Sequence, residues 1–176
     1  MPPLDQDSHS LEIFQILFEQ SYGKLFRIAY AITGDRNQSK DVIQQAFLKA
    51  YSKIDQLKDK TKYVTWITSI TVHEAHNIIR ANKIRKVIPF SEVSHRRGHS
   101  FENEFLLKDE VTRVLNQLSQ NDLEILTLRY FSELSLEEIS QILNISKGTA
   151  KTRLHRARTN FREIFLRDNP EEVLGG

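Results

Sequence analysis

The chain has 176 residues, of which 39% are hydrophobic and 27% charged, and its formal net charge is only +2. This balance fits a soluble globular protein of one large or two small domains, and the absence of cysteine excludes disulfides and cysteine-ligated zinc sites. No apolar run approaches membrane-spanning length and the polar amino-terminal segment does not resemble a signal peptide, so we expect no membrane insertion and a cytoplasmic protein. Glycine and proline are scarce, which favours an almost entirely helical chain.

A first helical domain is predicted over 8–86. Apolar periodicity begins near Leu11, and the segment "GKLFRIAYAIT" forms a second predicted helix. The segment "GDRNQS" is predicted to be a turn, after which a long helix begins at Ser39. A polar, lysine-rich break, "DQLKDKTKY", then precedes a helix over 65–85.

A second helical domain is predicted over 105–166, after an extended linker over 87–104 and before a flexible tail over 167–176. Within this domain, "LSLEEISQILN" predicts a short helix whose capping box is made by Ser135 and Glu138. A tight connection follows, and Ser146 can cap the next helix. A short helix, a tight turn and a longer basic helix together predict a helix-turn-helix.

The last predicted helix buries one apolar stripe, and the charges on the rest of its surface up to Arg162 are all of one sign. Ala150, Leu154 and Ala157 recur at helical spacing, and no acidic residue interrupts the basic run before Glu163. The cations are Lys147, Lys151, Arg153, Arg156, Arg158 and Arg162. Because a solvated helix face usually mixes both signs, this face is predicted to bind DNA in the major groove.

Two stretches carry a family resemblance. The segment "LNQLSQNDLEILTLRYFSELSLEEISQILNISKGTAKTRLHRARTNFRE" resembles the promoter −35 binding domain of bacterial sigma factors. The segments "YGKLFRIAYAITGDRNQSKDVIQQAFLKAY" and "TWITSI" resemble their core-binding and −10 binding domain. Since no large domain separates the two, the chain is similar to the compact extracytoplasmic-function (ECF) sigma factors of the sigma-70 family.

The resemblance implies an all-α fold of two small domains, the second with a helix-turn-helix. It implies a factor that binds core RNA polymerase, directs promoter-specific initiation and assists melting at −10, without being an enzyme and without a cofactor. The expected partners are core RNA polymerase, promoter DNA (duplex at −35, single-stranded at −10) and an anti-sigma factor. Arg96 and Arg97 of the linker are expected near nucleic acid.

The resemblance also implies three sets of site residues. The polymerase-binding residues would be Asp41, Gln44, Gln45, Leu48 and Lys49. The −10 DNA would be contacted by Lys58, Lys60, Lys62, Tyr63, His73, Asn77, Arg80 and Lys83. The −35 DNA would be contacted by Lys147, Gly148, Thr149, Lys151, Thr152, Arg153, His155, Arg156 and Arg158.

Residue chemistry divides the roles within these sets. Lysines suit the single-stranded backbone, and Tyr63 could offer a π-face to a base or pack a pocket wall. For Trp66, core packing is favoured. At −35 the expected base readers are Lys151, Thr152, His155 and Arg156, and the expected phosphate contacts are Lys147, Arg153 and Arg158. Gly148 and Thr149 keep the helix entrance slim for a phosphate. For Arg129, a contact with the DNA backbone and a surface ion pair are equally compatible with the sequence.

The chain departs from the family pattern at several of these positions. His73 stands where the family usually has Asn, and Asn77 stands where it usually has Asp, so an unusual −10 preference is expected. Gln45 replaces a common Glu, and Ser119 replaces the usual Pro while remaining a good helix cap.

Two other functions compete with this interpretation. A free-standing helix-turn-helix regulator would explain the basic helix but would leave the first domain without a purpose. A metal-dependent enzyme could use His73, Glu74 and His76, with His95 and His99 from the linker, but the histidine spacing does not match a zincin helix.

Overall fold

The structure, a computed structural model, describes residues 4–85 and 109–170, with side chains over 12–83 and 110–170. Within these ranges the protein is all-α: seven α-helices, two 3₁₀ turns and one π-helical turn, without strands. The predicted linker, including Arg96 and Arg97, and residues 171–176 of the predicted tail lie outside the described residues. No helix in the described ranges combines the length and apolar character that crossing a membrane requires.

The first domain packs three helices, α1 (Leu4–Thr33), α2 (Arg36–Ser52) and α3 (Tyr63–Arg85), against one another. The two helices predicted on either side of Gly23 form one continuous helix, in which Gly23 is an exposed residue. The helix ends at Thr33 and is followed by Gly34, whose φ of 65° suits glycine and whose N–H donates to the Tyr30 carbonyl.

The start of α2 differs from the sequence prediction. The helix begins at Arg36, and Asp35 caps it, because the Asp35 carboxylate accepts the Gln38 N–H at 2.8 Å. Ser39, predicted to begin this helix, lies buried in its first turns and donates its hydroxyl to the Asp35 carbonyl. The lysine-rich break holds two 3₁₀ turns, Ile54–Gln56 and Lys60–Lys62, before α3.

The second domain contains α4 (Asp109–Gln117), α5 (Gln120–Leu126), a π-helical turn (Thr127–Phe131), α6 (Leu136–Ile142) and α7 (Lys147–Asp168). The capping box of Ser135 and Glu138 is present, and Ser146 caps α7 through the Thr149 N–H. Between α6 and α7, Asn144 adopts a φ of 52°, a left-handed conformation that asparagine tolerates. The predicted helix-turn-helix is therefore confirmed.

The two domains lie against each other, with α1 packed on α5 and the π-helical turn, and α3 on α6. Buried apolar residues form one cluster that continues from the first domain into the second. We call this contact the seam. The side chains that link across it are Arg27, Thr65 and His76 of the first domain and Gln120, Glu124, Phe131 and Glu138 of the second.

Candidate nucleic-acid interface

The exposed face of α2 holds the residues expected to bind polymerase. Asp41, Gln44, Gln45 and Leu48 are all exposed and recur at i, i+3, i+4 and i+7, so they share one side of the helix. The Leu48 side chain is 53% exposed although it is aliphatic. On the opposite side Val42, Ile43 and related residues are buried, which fixes the rotation of this face outward.

Lys49, the fifth residue of that set, is tied to α3. Its ammonium lies 2.5 Å from the Glu74 carboxylate, and the Asn77 amide also donates to Glu74. Glu74 is 7% exposed, so a buried carboxylate has found a cation to balance its charge. Lys49 and Glu74 therefore join α2 to α3, and Glu74 has a structural partner.

The loop before α3 presents three lysines to solvent. Lys58, Lys60 and Lys62 are exposed, and the Asp59 carboxylate between them accepts the Thr61 N–H and hydroxyl. The Thr61 hydroxyl and N–H hold the pKa of the Asp59 carboxyl below its usual range. The loop is thus fixed locally by one acid while its three cations stay available.

The two aromatic residues at the start of α3 face inward. Tyr63 is 7% exposed and burial raises the pKa of its phenol. Its ring centroid lies 6.3 Å from that of Trp66, which packs against the core as expected. Of the two roles considered for Tyr63, its position here matches packing, because no open π-face is left for a base.

The remaining −10 residues form one exposed row on α3. His73, Asn77, Arg80 and Lys83 follow one another at spacings of four, three and three residues, and all are exposed. The Arg80 guanidinium donates to the Asn77 amide oxygen at 3.0 Å and, at 3.4 Å, to the His76 carbonyl. Neither His73 nor Lys83 has an acidic partner among the described residues, so this row is positive and loosely held.

The −35 residues lie along the outer side of α7. Lys151, Thr152, His155 and Arg156 are exposed, while Ala150, Leu154 and Ala157 are buried beneath them. The Thr152 hydroxyl donates to the Gly148 carbonyl, and the Thr149 hydroxyl shares a hydrogen bond with that of Ser146. Gly148 is exposed, and a side chain there would meet only the Ser146 hydroxyl.

The three expected phosphate contacts have partners within the protein. Lys147 lies 2.8 Å from exposed Glu137, and Arg153 lies 3.3 Å from buried Glu124. Arg158 donates to the Tyr130 hydroxyl at 2.6 Å and lies over its ring, at the rim of an apolar cavity. Of these pairs, Lys147–Glu137 is exposed to solvent on both sides and is held most weakly.

Arg129 makes a contact that sequence reasoning did not consider. Its guanidinium donates to the Leu134 carbonyl at 2.7 Å, which closes the turn that leads into α6. Arg129 therefore supports the backbone of the helix-turn-helix.

Sequence reasoning missed the residues of the seam. Glu124 is 4% exposed, and its two oxygens pair with His76 of α3 at 2.8 Å and with Arg153 of α7 at 3.3 Å. The one available signal was an acid inside the apolar run "DLEILTL", because a buried acid requires partners. Glu138 also has a second role: its carboxylate accepts the Thr65 hydroxyl at 2.6 Å.

The histidines considered for a metal site do not converge. His73 is exposed on the outer row of α3, and His76 faces Glu124. Within the part of the chain that the structure describes, no three histidine or acidic side chains are grouped to hold a metal ion. His95 and His99 lie outside the described residues.

Known families match both domains. The model of sigma-70 region 2 matches residues 17–84, and that of sigma-70 region 4 matches residues 108–161. ECF RNA polymerase sigma factor SigW of Bacillus subtilis is 30% identical over 159 residues, which cover 82% of this chain and 84% of SigW. The ECF sigma-E factor of Escherichia coli K12 is 32% identical over 133 residues, covering 67% and 69% of the two chains.

Solved structures share the fold. Sigma factor RpoE of Bartonella quintana, in complex with anti-sigma factor NepR, superposes with a TM-score of 0.66 at 21% identity, covering 88% of this chain and 96% of RpoE. CnrH, in complex with the cytosolic domain of CnrY, superposes with a TM-score of 0.62 at 18% identity, covering 93% and 94%.

A sigma-70 region 2 followed by a region 4 defines a sigma factor, and sigma factors are transcription initiation factors. The chain belongs to the sigma-70 family, in its ECF group. As such it is a promoter-specificity subunit of RNA polymerase, and its two domains correspond to the family's polymerase-binding and promoter-binding regions.

Proposed function

We propose that three exposed rows of this protein divide the work of initiation: α2 binds core polymerase, the lysine loop with α3 contacts −10 DNA, and α7 reads −35 DNA. The observation that carries the proposal is the alignment of each row on one side of its own helix, clear of the apolar core. A free-standing DNA regulator has no use for the first two rows.

The α2 row suits a protein partner. It combines one carboxylate, two amides and the exposed aliphatic side chain of Leu48, with little net charge. Polar groups of this kind fix the register of an interface, and an apolar residue at its centre supplies affinity. We assign this row to the clamp coiled coil of the polymerase large subunit.

The α3 row and its loop suit opened DNA. Lysines of the loop can follow a single-stranded backbone, and His73 and Asn77 can exchange hydrogen bonds with unpaired bases. Such contacts offset part of the cost of unstacking, about a few kcal/mol per flipped base. In this role the protein assists melting of the −10 element.

Both promoter elements cannot be held while the domains are docked at the seam. The −10 and −35 elements lie about 25 base pairs apart, or roughly 85 Å at 3.4 Å per step. Helices α3 and α7 have 23 and 22 residues, and both contact Glu124. Even end to end they would span only about 68 Å at 1.5 Å per residue. The domains therefore separate when the protein binds a promoter.

The docked arrangement suits a resting protein, and an anti-sigma factor is the expected partner of that state. RpoE, which shares this fold, was solved with the anti-sigma factor NepR, and CnrH was solved with the cytosolic domain of CnrY. We further propose that the protein acts in the cytoplasm beside polymerase, without a cofactor and without catalytic chemistry of its own.

Measuring the affinity of the protein for purified core polymerase tests the assignment of the α2 row. Asp41→Ala and Gln44→Ala should weaken binding to core polymerase by about tenfold each, a typical loss for a central interface residue. Glu12→Ala, a change at an exposed acid of α1, is the control. Unchanged affinity of both α2 variants would show that the α2 row does not bind polymerase. Failure of the unaltered protein to bind polymerase would overturn the proposal as a whole.

A further inference from the structure

The second buried acid of α5, Asp122, lies beneath the expected −35 reading face. Its side chain is 4% exposed. One carboxylate oxygen, Oδ2, accepts the Ser119 hydroxyl and the Asn160 amide, each at 2.8 Å. The other oxygen, Oδ1, accepts no hydrogen bond from any residue that the structure describes. A buried carboxylate oxygen without a donor requires another source of compensation.

That compensation comes from Arg156 of α7. Its Nε lies 3.7 Å from Asp122 Oδ1, which is ion-pair distance, while 61% of the Arg156 side chain remains exposed. A guanidinium has five N–H donors, one on Nε and four on the two terminal nitrogens. Because the pair forms through Nε, the four donors on the two terminal nitrogens are not needed for this ion pair.

Those two nitrogens are the ones that matter for reading DNA. Arginine recognises guanine by donating from two nitrogens to O6 and N7 in the major groove. An unrestrained arginine loses much rotamer freedom when it binds, and a guanidinium already held in place loses less. An anion beneath the helix can thus orient the reader without touching DNA.

We propose that Asp122 is a positioning residue that holds Arg156 ready for one guanine of the −35 element. The inference rests on the proposed role of Arg156 as a base reader. It separates the two buried acids of α5: Glu124 engages Arg153 and the seam, whereas Asp122 serves base recognition.

Transcription by the polymerase holoenzyme, on promoters carrying each base at each −35 position, measures the effect. Arg156→Ala should abolish discrimination at one position, and Asp122→Asn should reduce it there by about threefold to tenfold, part of what a bidentate pair supplies. In the Arg156→Ala background, Asp122→Asn should change that discrimination no further. Glu124→Gln, a matched loss of a buried charge that does not contact Arg156, should leave it intact.

The possible failures are distinct. If Arg156→Ala alters discrimination nowhere, the reader assignment itself is wrong. If Arg156→Ala abolishes it and Asp122→Asn leaves it at the unaltered level, only the positioning role is overturned. NMR relaxation of arginine Nε–H groups in the unaltered protein gives a readout that survives poor folding of a variant. Arg156 should be more ordered than Arg162, which is exposed and has no carboxylate partner in the described chain; equal mobility would contradict the proposal.

Discussion

The side chains proposed to contact DNA are held differently on α3 and on α7. The row on α3 is loosely held: His73 and Lys83 have no acidic partner among the described residues, and Arg80 is held only by an amide and a carbonyl. On α7, Arg153 and Arg156 lie against buried carboxylates. Base reading in a duplex requires fixed donors, whereas unpaired bases move to meet their contacts. The difference suits the roles proposed for the two helices, in which anchored arginines of α7 meet duplex DNA and the loosely held row of α3 meets single-stranded DNA.

The largest expected effect is at the α7 face. Lys151→Ala should reduce use of promoters with an intact −35 element by roughly tenfold or more, since a good base contact contributes about 1–3 kcal/mol. Transcription from matched promoters with and without the −35 element measures it. Arg162→Ala is the control, because it removes an exposed cation of the same basic helix that is not among the expected −35 contact residues. Equal losses for both would reduce α7 to a nonspecific basic surface.

The seam between the two domains is tested next, with substitutions at two glycines. Gly34 has a φ of 65°, and a Cβ there would lie 3.0 Å from the Gln120 amide, which donates to the Ile32 carbonyl across the seam. Gly34→Ala should lower the free energy of unfolding by about 1–2 kcal/mol, the cost of a left-handed conformation. Urea denaturation measures it.

Gly23→Ala is the matched substitution. Nothing lies within 4 Å of a Cβ at Gly23, and the residue is inside α1. The change should raise stability by roughly 0.5–1 kcal/mol, because alanine is the better helix former. If both variants moved stability in the same direction, the left-handed turn and the contact with Gln120 would not be the cause.

A smaller effect is expected on the α3 row. His73→Asn should shift the preferred base at one −10 position by about 1 kcal/mol, within the usual range for one base pair, and leave −35 preference unchanged. His155→Asn on α7 should shift the preferred base at one −35 position and leave the −10 preference unchanged. Selection of transcribed promoters from a randomised library measures both, and a change at both elements from either variant would contradict the division between the helices.

The smallest effect concerns pH. Hydrogen bonds from the Thr65 hydroxyl and from Ser135 lower the pKa of Glu138. A lowered pKa means that this carboxylate stabilises the fold above its unfolded pKa, near 4.3, and that the contribution is lost as pH falls through the lower folded value. The stability gap between the unaltered protein and Glu138→Gln should therefore be constant from pH 6 to 8, at about 0.5–1 kcal/mol.

Thermal denaturation at a series of pH values follows this gap. It should close only as pH falls through the lowered folded pKa of Glu138, because below that value both proteins carry an uncharged group at position 138. Thr65→Val, which removes the hydroxyl but keeps the shape, should narrow the gap at neutral pH. A gap that widened on acidification would contradict the assigned hydrogen bonds.

Local chemistry explains which elements could be predicted from sequence. The boundaries of α6 and α7 follow from Ser135, Glu138 and Ser146, whose caps involve neighbours three residues away. The predicted start of α2 was wrong, because Asp35 and Ser39 can both cap a helix. The Asp35 carboxylate accepts a backbone N–H of the first turn, whereas Ser39 is buried within the helix. The residues of the exposed rows came from the family resemblance, and helical spacing accounts for their alignment on one side of α2, α3 and α7.

The seam could not be predicted, because its contacts join residues far apart in sequence. Thr65 and Glu138, like His76 and Glu124, meet only through the docking of two domains. No local pattern encodes such a pair, and the side chains involved resemble ordinary surface residues. The pairing of Arg153 with Glu124 and of Arg158 with Tyr130 was likewise hidden, because the partners are separated by 29 and 28 residues.

Separation of the two domains on a promoter is the most direct test of this account. The chain has no cysteine, so in the variant Asn37→Cys (α2) with Glu163→Cys (α7) these two exposed positions are the only sites that react with fluorescent labels. Energy transfer between them should be high in the free protein and should fall when core polymerase and promoter DNA are added. Labels at Asn37 and Lys53, both within the first domain, should show no change. Unchanged transfer across the seam in a complex that transcribes would contradict the account.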